Sequence, residues 1–509
     1  MSLQDSPVSE KAAIQAVVSQ SRLAQQQWGR TSLQQRAAVL HAIAKQLQHT
    51  ANELAAIVNA ETHKPVADAL SSDVAIAAGS FRQAVELGLQ CLRPQGYSLA
   101  QSWRALALGR THQTHYTPKG VVAAITPWNY PLGIPAWALA ASLMTGNACI
   151  LKPSELSPRS GLLLVEIIQD VLEKQGHSKE LVQCLTGDGN TGKALLNEAI
   201  DYVLFTGSVA TGRAIQAQLS ERNIGVSLEL GGSCPAIVLR SLPNSAWDSV
   251  ISQITWGRCF NAGQSCAAVK RLLLPEAWQA DWLKRLQEKF ENIPEPLVLI
   301  NETQRQRLHQ QVVQALVEGA TLVCGGVLDE AQGDPVYPPT ILANLPSQSA
   351  LWQEEWFGPV LLVDAYANDA EAITKANGTP FGLTASVFGL PAEAEPIAGK
   401  LQAGLVTIND VALAHYGFLH IPWQGVKNSG PGVSHAAQGL LGLVQSKTIG
   451  ANHIPLTIKP PWLLGKSPSS KDSGFQHGLV RWLSSSFAVA QWNPQLLKGL
   501  WQRRPSTRL

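Results

Sequence analysis

Between Asn147 and Ser220 short apolar runs alternate with helical ones, and that alternation narrows the fold more than any other feature. "NACILKP" reads as a strand, "SPRSGLLLVEIIQDVLEKQG" as a helix, "LVQCLTG" as a strand and "TGKALLNEA" as a helix. "YVLFTGS" is again a strand, and "ATGRAIQAQLS" again a helix. Strands joined through helices need crossover connections, and the stable solution is a parallel sheet with helices on its faces. A second alternating region runs from "PAIVL" to "GLVTIND". The expectation is an α/β fold with two parallel-sheet units. A chain of 509 residues is also too long for one small core.

Ahead of these units, Ser9 to about Leu92 has helical periodicity. "RAAVLHAIAKQLQHTANELAAIVNAE" spaces its apolar residues at three and four, and His63-Lys64-Pro65 breaks the pattern. After Pro94-Gln95-Gly96 the sequence turns strand-like. The most apolar stretch, "AAITPWNYPLGIPAWALAASLMTG", is interrupted by three prolines and an Asn, so it reads as protein interior rather than a membrane span. The N-terminus has no basic start followed by an apolar core, as a signal peptide would. The seven cysteines are scattered, odd in number and without a C-x-x-C pair, which disfavours a disulfide framework, disfavours a metal site and fits a reducing, cytoplasmic setting. A formal charge of +2 gives no general attraction to nucleic acid.

Four stretches carry chemistry. In "FTGSVATGR" a strand runs into Gly207-Ser208, with Gly212 at a helix start, an arrangement that admits a phosphate and equally suits an ordinary turn. In "ILKPSELSP", Lys152 and Glu155 follow a strand end, where ligands of open α/β sheets bind; they can serve ribose hydroxyls or form a solvated charge pair. "SLELGGSCP" sets Glu229 among apolar neighbours, so desolvation raises its pKa toward that of a general base, unless a structural partner holds it. "FNAGQSCAAVK" presents Cys266 after a Gly-Gln-Ser turn. A nucleophilic thiol there needs exposure and a lowered pKa, whereas most lone cysteines are structural.

Taken in order, "TPWNYPLGIPAWALAASLMTGNACILKPSELSP", "FTGSVATGR", "SLELGGSCPAIVL", "FNAGQSCAA", "EEWFGPV" and "HIPWQGVKNSGPG" resemble the aldehyde dehydrogenase superfamily over about residues 10–455. The resemblance implies Cys266 as nucleophile, Glu229 as general base and Asn129 as oxyanion donor. It implies cofactor contacts from Ile125, Thr126, Pro127, Trp128, Lys152, Ser154, Glu155, Gly207, Ser208, Gly212, Leu230, Gly231, Glu355 and Phe357. Tyr416, Phe418 and Trp423 fall where the family's substrate tunnel is lined by aromatics. Three positions depart from the family pattern: Trp423-Gln424 for Phe-Gly, Val433 for a frequent Arg, and Trp356 for an aliphatic residue. The first of these stands against transferring any relative's substrate.

The implied organisation is a NAD-binding domain over 1–231, a catalytic domain over 232–430, and a return strand over 431–455. Residues 98–117 and the return strand resemble oligomerisation strands, implying a homodimer or a dimer of dimers. The implied reaction is oxidation of an aldehyde to a carboxylic acid with NAD, or with NADP as the alternative. An apolar aliphatic, aromatic or terpenoid-derived aldehyde is the expected substrate. A semialdehyde dehydrogenase and a catalytically silent binding protein are the competing readings. Residues 456–509 differ in kind, with eight Lys/Arg against one acidic residue and four tryptophans. There Leu479, Trp482, Leu483 and Phe487 at helical spacing suit either peripheral membrane contact or packing against the protein.

Overall fold

The computed structural model describes residues 7–97, 110–328 and 335–453. The basic extension at 456–509 and residues 98–109 of the first expected oligomerisation strand lie outside the described residues. The chain divides into two compact units, Met1–Arg93 with Tyr116–Gln445, and Pro94–His115 with Ser446–Leu509.

The larger unit contains two α/β sheets. The first has five strands: β1 (Val121–Ile125), β2 (Ala148–Lys152), β3 (Val182–Cys184), β4 (Tyr202–Thr206) and β5 (Gly225–Glu229). They lie in the order β3-β2-β1-β4-β5, and every pairing is parallel. Val121 and Ala123 point into one core with Ile150, Val203 and Phe205, while Val122 and Ala124 point into the opposite one with Cys149 and Leu151. Both faces are covered, so these strands read as continuous apolar runs rather than alternating ones. The register pairs Ile125 with Lys152 and Phe205, and Thr206 with Glu229, so the carboxyl ends fall along one edge. Strand order reverses between β1 and β4, the place where open α/β sheets form a ligand crevice.

The second sheet comprises β6 (Cys234–Val238), β7 (Val269–Pro275), β8 (Thr321–Cys324), β9 (Thr340–Ala343), β10 (Val360–Tyr366), β11 (Thr384–Phe388) and β12 (Leu405–Ile408). Its order is β8-β9-β10-β7-β6-β11-β12, with only the β8 edge antiparallel. The expected α/β architecture of two parallel sheets is thus present. The long stretch around Pro135 is interior, since helix Gly133–Met144 is buried along almost its whole length. Among the described residues no helix is long and apolar enough to cross a membrane.

The helical region is helical as its periodicity implies, with two details the periodicity does not show. The run from Arg36 to Glu61 is not one helix but two, Leu33–His49 and Ala51–Thr62. They meet at Thr50, whose hydroxyl donates back to the Gln46 carbonyl at 3.0 Å. Such back-bonding competes with the helix ladder. After the break at Lys64, helix Val66–Ala69 passes through a π turn, Leu70–Val74, into helix Ala75–Cys91. The smaller unit contributes to a three-stranded sheet of Gln95–Gly96, Arg110–Pro118 and Val444–Asn452, most of whose residues are exposed.

Candidate active site

Cys266 is delivered by an unusual turn. Helix Trp247–Cys259 ends, and Asn261, Ala262 and Gly263 then take φ of 54°, 51° and 71°, three left-handed residues in succession. Asn tolerates this region and Gly is free in it, but Ala is not favoured there, so the segment stores roughly 1–2 kcal/mol of strain. Gly263 is required twice over: a Cβ there would also lie 2.5 Å from an Arg258 nitrogen and from the Gly358 backbone. Arg258, fully buried, donates to the carbonyls of Gly263 and Val269 and clamps the turn. Lys270 donates to the carbonyls of Ser265 and Cys266 at 2.9 and 2.8 Å, and to Glu355 Oε1 at 3.1 Å.

The turn is tied to the segment after β1. Asn129 Nδ2 donates to the Gln264 carbonyl at 3.0 Å, and Asn261 Nδ2 donates to the Asn129 carbonyl at 3.0 Å. One hydrogen of the Asn129 amide is therefore held, leaving the other available. Asn129 Oδ1 is buried without a partner. No described group takes the Cys266 N–H in a hydrogen bond. Asn129, Cys266 and Glu229 all line one cavity of about 310 Å³.

Glu229 ends β5, and both its carboxyl oxygens are buried without a hydrogen-bond partner. Burial pushes its pKa well above the usual carboxylate range. Ser434 offsets part of that without closing a hydrogen bond to either oxygen. The buried carboxyl therefore holds its proton to higher pH than an exposed glutamate, and serves as a base once ionised.

Cys266 corrects the expectation of a lowered pKa. Its residue keeps some exposure, yet the protein packed around it desolvates the thiolate and pushes the thiol up to about 12. The Lys270 ammonium opposes this, while Glu355, Cys234 and Glu229 add to it. A local motif cannot reveal this balance, which depends on density brought in by distant segments.

Most expected cofactor residues face the same cavity: Thr126, Pro127, Trp128, Gly207, Ser208, Leu230, Gly231, Glu355 and Phe357. Ile125 and Lys152 stand side by side at the ends of β1 and β2, outside its lining. Lys152 Nζ lies 3.5 Å from Glu155, whose side chain is half exposed, and Ser154 Oγ accepts from the Leu156 N–H. Gly212 packs against Leu230, where a Cβ would come within 2.7 Å. A dinucleotide fits this crevice on three counts. Thr126 Oγ1 is buried and unpartnered, Ser208 caps the helix Val209–Leu219, and the Gly231 backbone is flush against Glu355, which a Cβ would meet at 2.2 Å.

At the other wall, Tyr416 and Trp423 line the cavity, but Phe418 does not. It is 48% exposed, and its ring lies tilted against His415 with centroids 5.2 Å apart. Sequence reasoning missed His435, a buried lining residue with φ 62° and ψ 178°, a backbone region nearly reserved for glycine. Its ring sits 5.1 Å from Trp137, 5.7 Å from Tyr416 and 6.2 Å from Trp423, and its Nδ1 has no partner. Burial lowers its pKa to about 3, so it is neutral. Lys270 was within reach of the sequence, since a Lys at the start of the apolar run "VKRLLLP" demands a buried partner. Trp356, one of the departures, is a core residue whose Nε1 donates to the Leu351 carbonyl.

A presented cysteine, an unpartnered buried carboxyl and a side-chain amide thus surround one crevice of a nucleotide-compatible α/β frame. The model of the aldehyde dehydrogenase family matches residues 2–449. A putative succinate-semialdehyde dehydrogenase [NADP(+)] of Mycolicibacterium smegmatis is 32% identical over 469 residues, covering 89% of this chain and 87% of its own. The indole-3-acetaldehyde dehydrogenase of P. syringae, solved with NAD+ and IAA, is 29% identical with a TM-score of 0.79, covering 87% of this chain and 89% of that one. An NAD+ complex of aldehyde dehydrogenase from Bacillus cereus has a TM-score of 0.81 at 28% identity, with coverage of 87% and 89%. The chain belongs to the aldehyde dehydrogenase family.

Proposed function

We propose that this chain oxidises an aldehyde to its carboxylic acid with a nicotinamide dinucleotide. The observation that carries the reading is the convergence of Cys266, Glu229 and Asn129 on one cavity with the glutamate's oxygens unpartnered. The Cys266 sulfur attacks the carbonyl carbon and its proton leaves to solvent. The alkoxide that forms accepts from the free hydrogen of Asn129 Nδ2 and from the Cys266 N–H, a stabilisation of about 3–4 kcal/mol per donor in well-studied cases. The bound dinucleotide supplies the acceptor for the hydride that then leaves carbon. What remains is a thioester on Cys266. Glu229, once ionised, takes a proton from water, which attacks the thioester and releases acid and thiol. A base in this place favours hydrolysis over transfer of the acyl group to another thiol.

The dinucleotide would be held by Thr126, Trp128, Gly207, Ser208, Glu355 and Phe357, with Lys152 and Glu155 toward the ribose. The Glu155 carboxylate repels a 2′-phosphate, which favours NAD over NADP. Tyr416, Trp423, Trp137 and the neutral His435 make an aromatic wall suited to an apolar aliphatic, aromatic or terpenoid-derived aldehyde. NADH formation followed at 340 nm across aldehydes of graded length, aromaticity and charge tests this. Faster turnover of succinate semialdehyde than of any apolar aldehyde would favour the semialdehyde reading. No NADH together with an unreactive Cys266 would favour a silent member. A homodimer or dimer of dimers in the cytoplasm, with residues 456–509 on a membrane surface, completes the proposal. Light scattering tests the first, and flotation of full-length against 1–453 protein with anionic liposomes tests the second.

A further inference from the structure

Lys64, which the sequence marks only as part of a helix break, is fully buried, and so is its ion-pair partner Asp73. The pair lies outside the reacting groups, and burying it is costly unless every remaining valence is used. Each contact of the two charged groups that reaches beyond residues 64–73 runs to the Asn129 segment. Lys64 Nζ donates to the Asn129 carbonyl at 2.9 Å and lies 4.1 Å over the Tyr130 ring. Asp73 Oδ1 accepts from the N–H groups of Leu132 and Gly133 at 3.1 and 3.3 Å. Ser72, adjacent to Asp73, makes a longer contact with Lys64 at 3.5 Å.

The backbone arrangement serves the same end. His63 turns left-handed at φ 60° and ends the helix Ala51–Thr62, which sends Lys64 inward. Asp73 sits within the π turn Leu70–Val74, and the wider turn shifts the helix face that follows; such insertions are frequent at functional sites. Burial pulls Lys64 below the usual lysine range, and Asp73 opposes that pull, as a tightly held pair requires. The Asn129 carbonyl thus has two fixed donors, Lys64 and Asn261, while its side chain is steered by the Gln264 carbonyl.

We propose that Lys64 and Asp73 form a positioning pair that fixes the backbone of Asn129 and so aims its amide at the developing oxyanion. The inference rests on the reading of Asn129 as an oxyanion donor. Neither residue touches the reacting atoms, so their effect should pass wholly through Asn129.

The test is a mutant cycle on the full-length enzyme, with kcat, KM and Tm measured for Asn129→Ala, Lys64→Met and the double variant. Asn129→Ala should lower kcat by about 10²–10³-fold. Lys64→Met should lower kcat by about tenfold to a hundredfold with KM nearly unchanged, as expected for a misaimed donor. The double variant should match Asn129→Ala within about twofold, because nothing is left to aim. Lys64→Met/Asp73→Leu removes both charges, so its Tm should recover while its kcat stays low. If Lys64→Met alone does not fold, the same comparison is made by adding Asn129→Ala to that apolar pair.

Losses that multiply in the double variant would overturn the inference, as would recovery of kcat together with Tm in the apolar pair. Either would make the pair structural only. Asn129→Ala turning over like wild type is a different result: it removes the oxyanion reading itself, and the inference with it.

Discussion

Cys266 should behave as a suppressed thiol in the enzyme without cofactor or substrate. Burial moves it from an ordinary value of 9.0 to about 12. At pH 8 an ordinary thiol is roughly one tenth ionised, whereas one at 12 is ionised to about one part in 10⁴, so the thiolate fraction falls about a thousandfold. Alkylation by iodoacetamide follows that fraction. The assay is the rate of carbamidomethylation of the Cys266 peptide by mass spectrometry between pH 6 and 10, with Cys266→Ser fixing the background. Cys149, Cys184 and Cys259 are also pushed up to about 12, which keeps that background low. The rate should rise about tenfold per pH unit with no plateau below pH 10, and should lie about a thousandfold below a free thiol at pH 8. A plateau between pH 8 and 9 at an ordinary thiol rate would refute the reasoning, and would mean that Lys270 outweighs burial.

Glu229→Gln should keep a burst of NADH near one per active site and lose steady-state turnover, as read by stopped-flow absorbance, because hydride leaves before the base is needed. Its effect on stability has the opposite sign. The native carboxyl holds its proton above the pH at which the unfolded one releases it, so wild type loses stability as pH rises from about 4.5 toward the raised native value. Glu229→Gln should therefore raise Tm at pH 8 and not at pH 4, by thermal melts at both. Gly263→Ala combines a left-handed φ of 71° with contacts at 2.5 Å, and should cost about 2–4 kcal/mol in urea unfolding as well as most activity. Glu155→Gln should lower the NAD-over-NADP ratio of kcat/KM by about tenfold, or roughly 1.4 kcal/mol, and an unchanged ratio would remove that carboxylate from cofactor choice.

The chemistry-bearing residues were legible because their signals are local. A strand running into Thr206-Gly207-Ser208, a glutamate at a strand end and a cysteine behind a Gly-Gln-Ser turn each follow from the rules for short segments, and the strand–helix alternation dictated the parallel sheets. Tertiary structure decided what those residues experience. Residues 129 and 229 meet because strand order, not sequence distance, sets which carboxyl ends share a crevice, and Cys266 joins them from the turn ahead of β7. The thiol is suppressed rather than activated because desolvation sums over every segment packed around it, and Cys266 alone says nothing of Glu355 or Cys234. His435 and the Lys64–Asp73 pair were invisible for the same reason: a lone histidine or lysine in sequence is ambiguous until burial removes water and leaves its partners countable. Phe418, expected in the cavity beside Tyr416, instead turns outward, since two residues along an irregular segment are enough to reverse a side chain's direction.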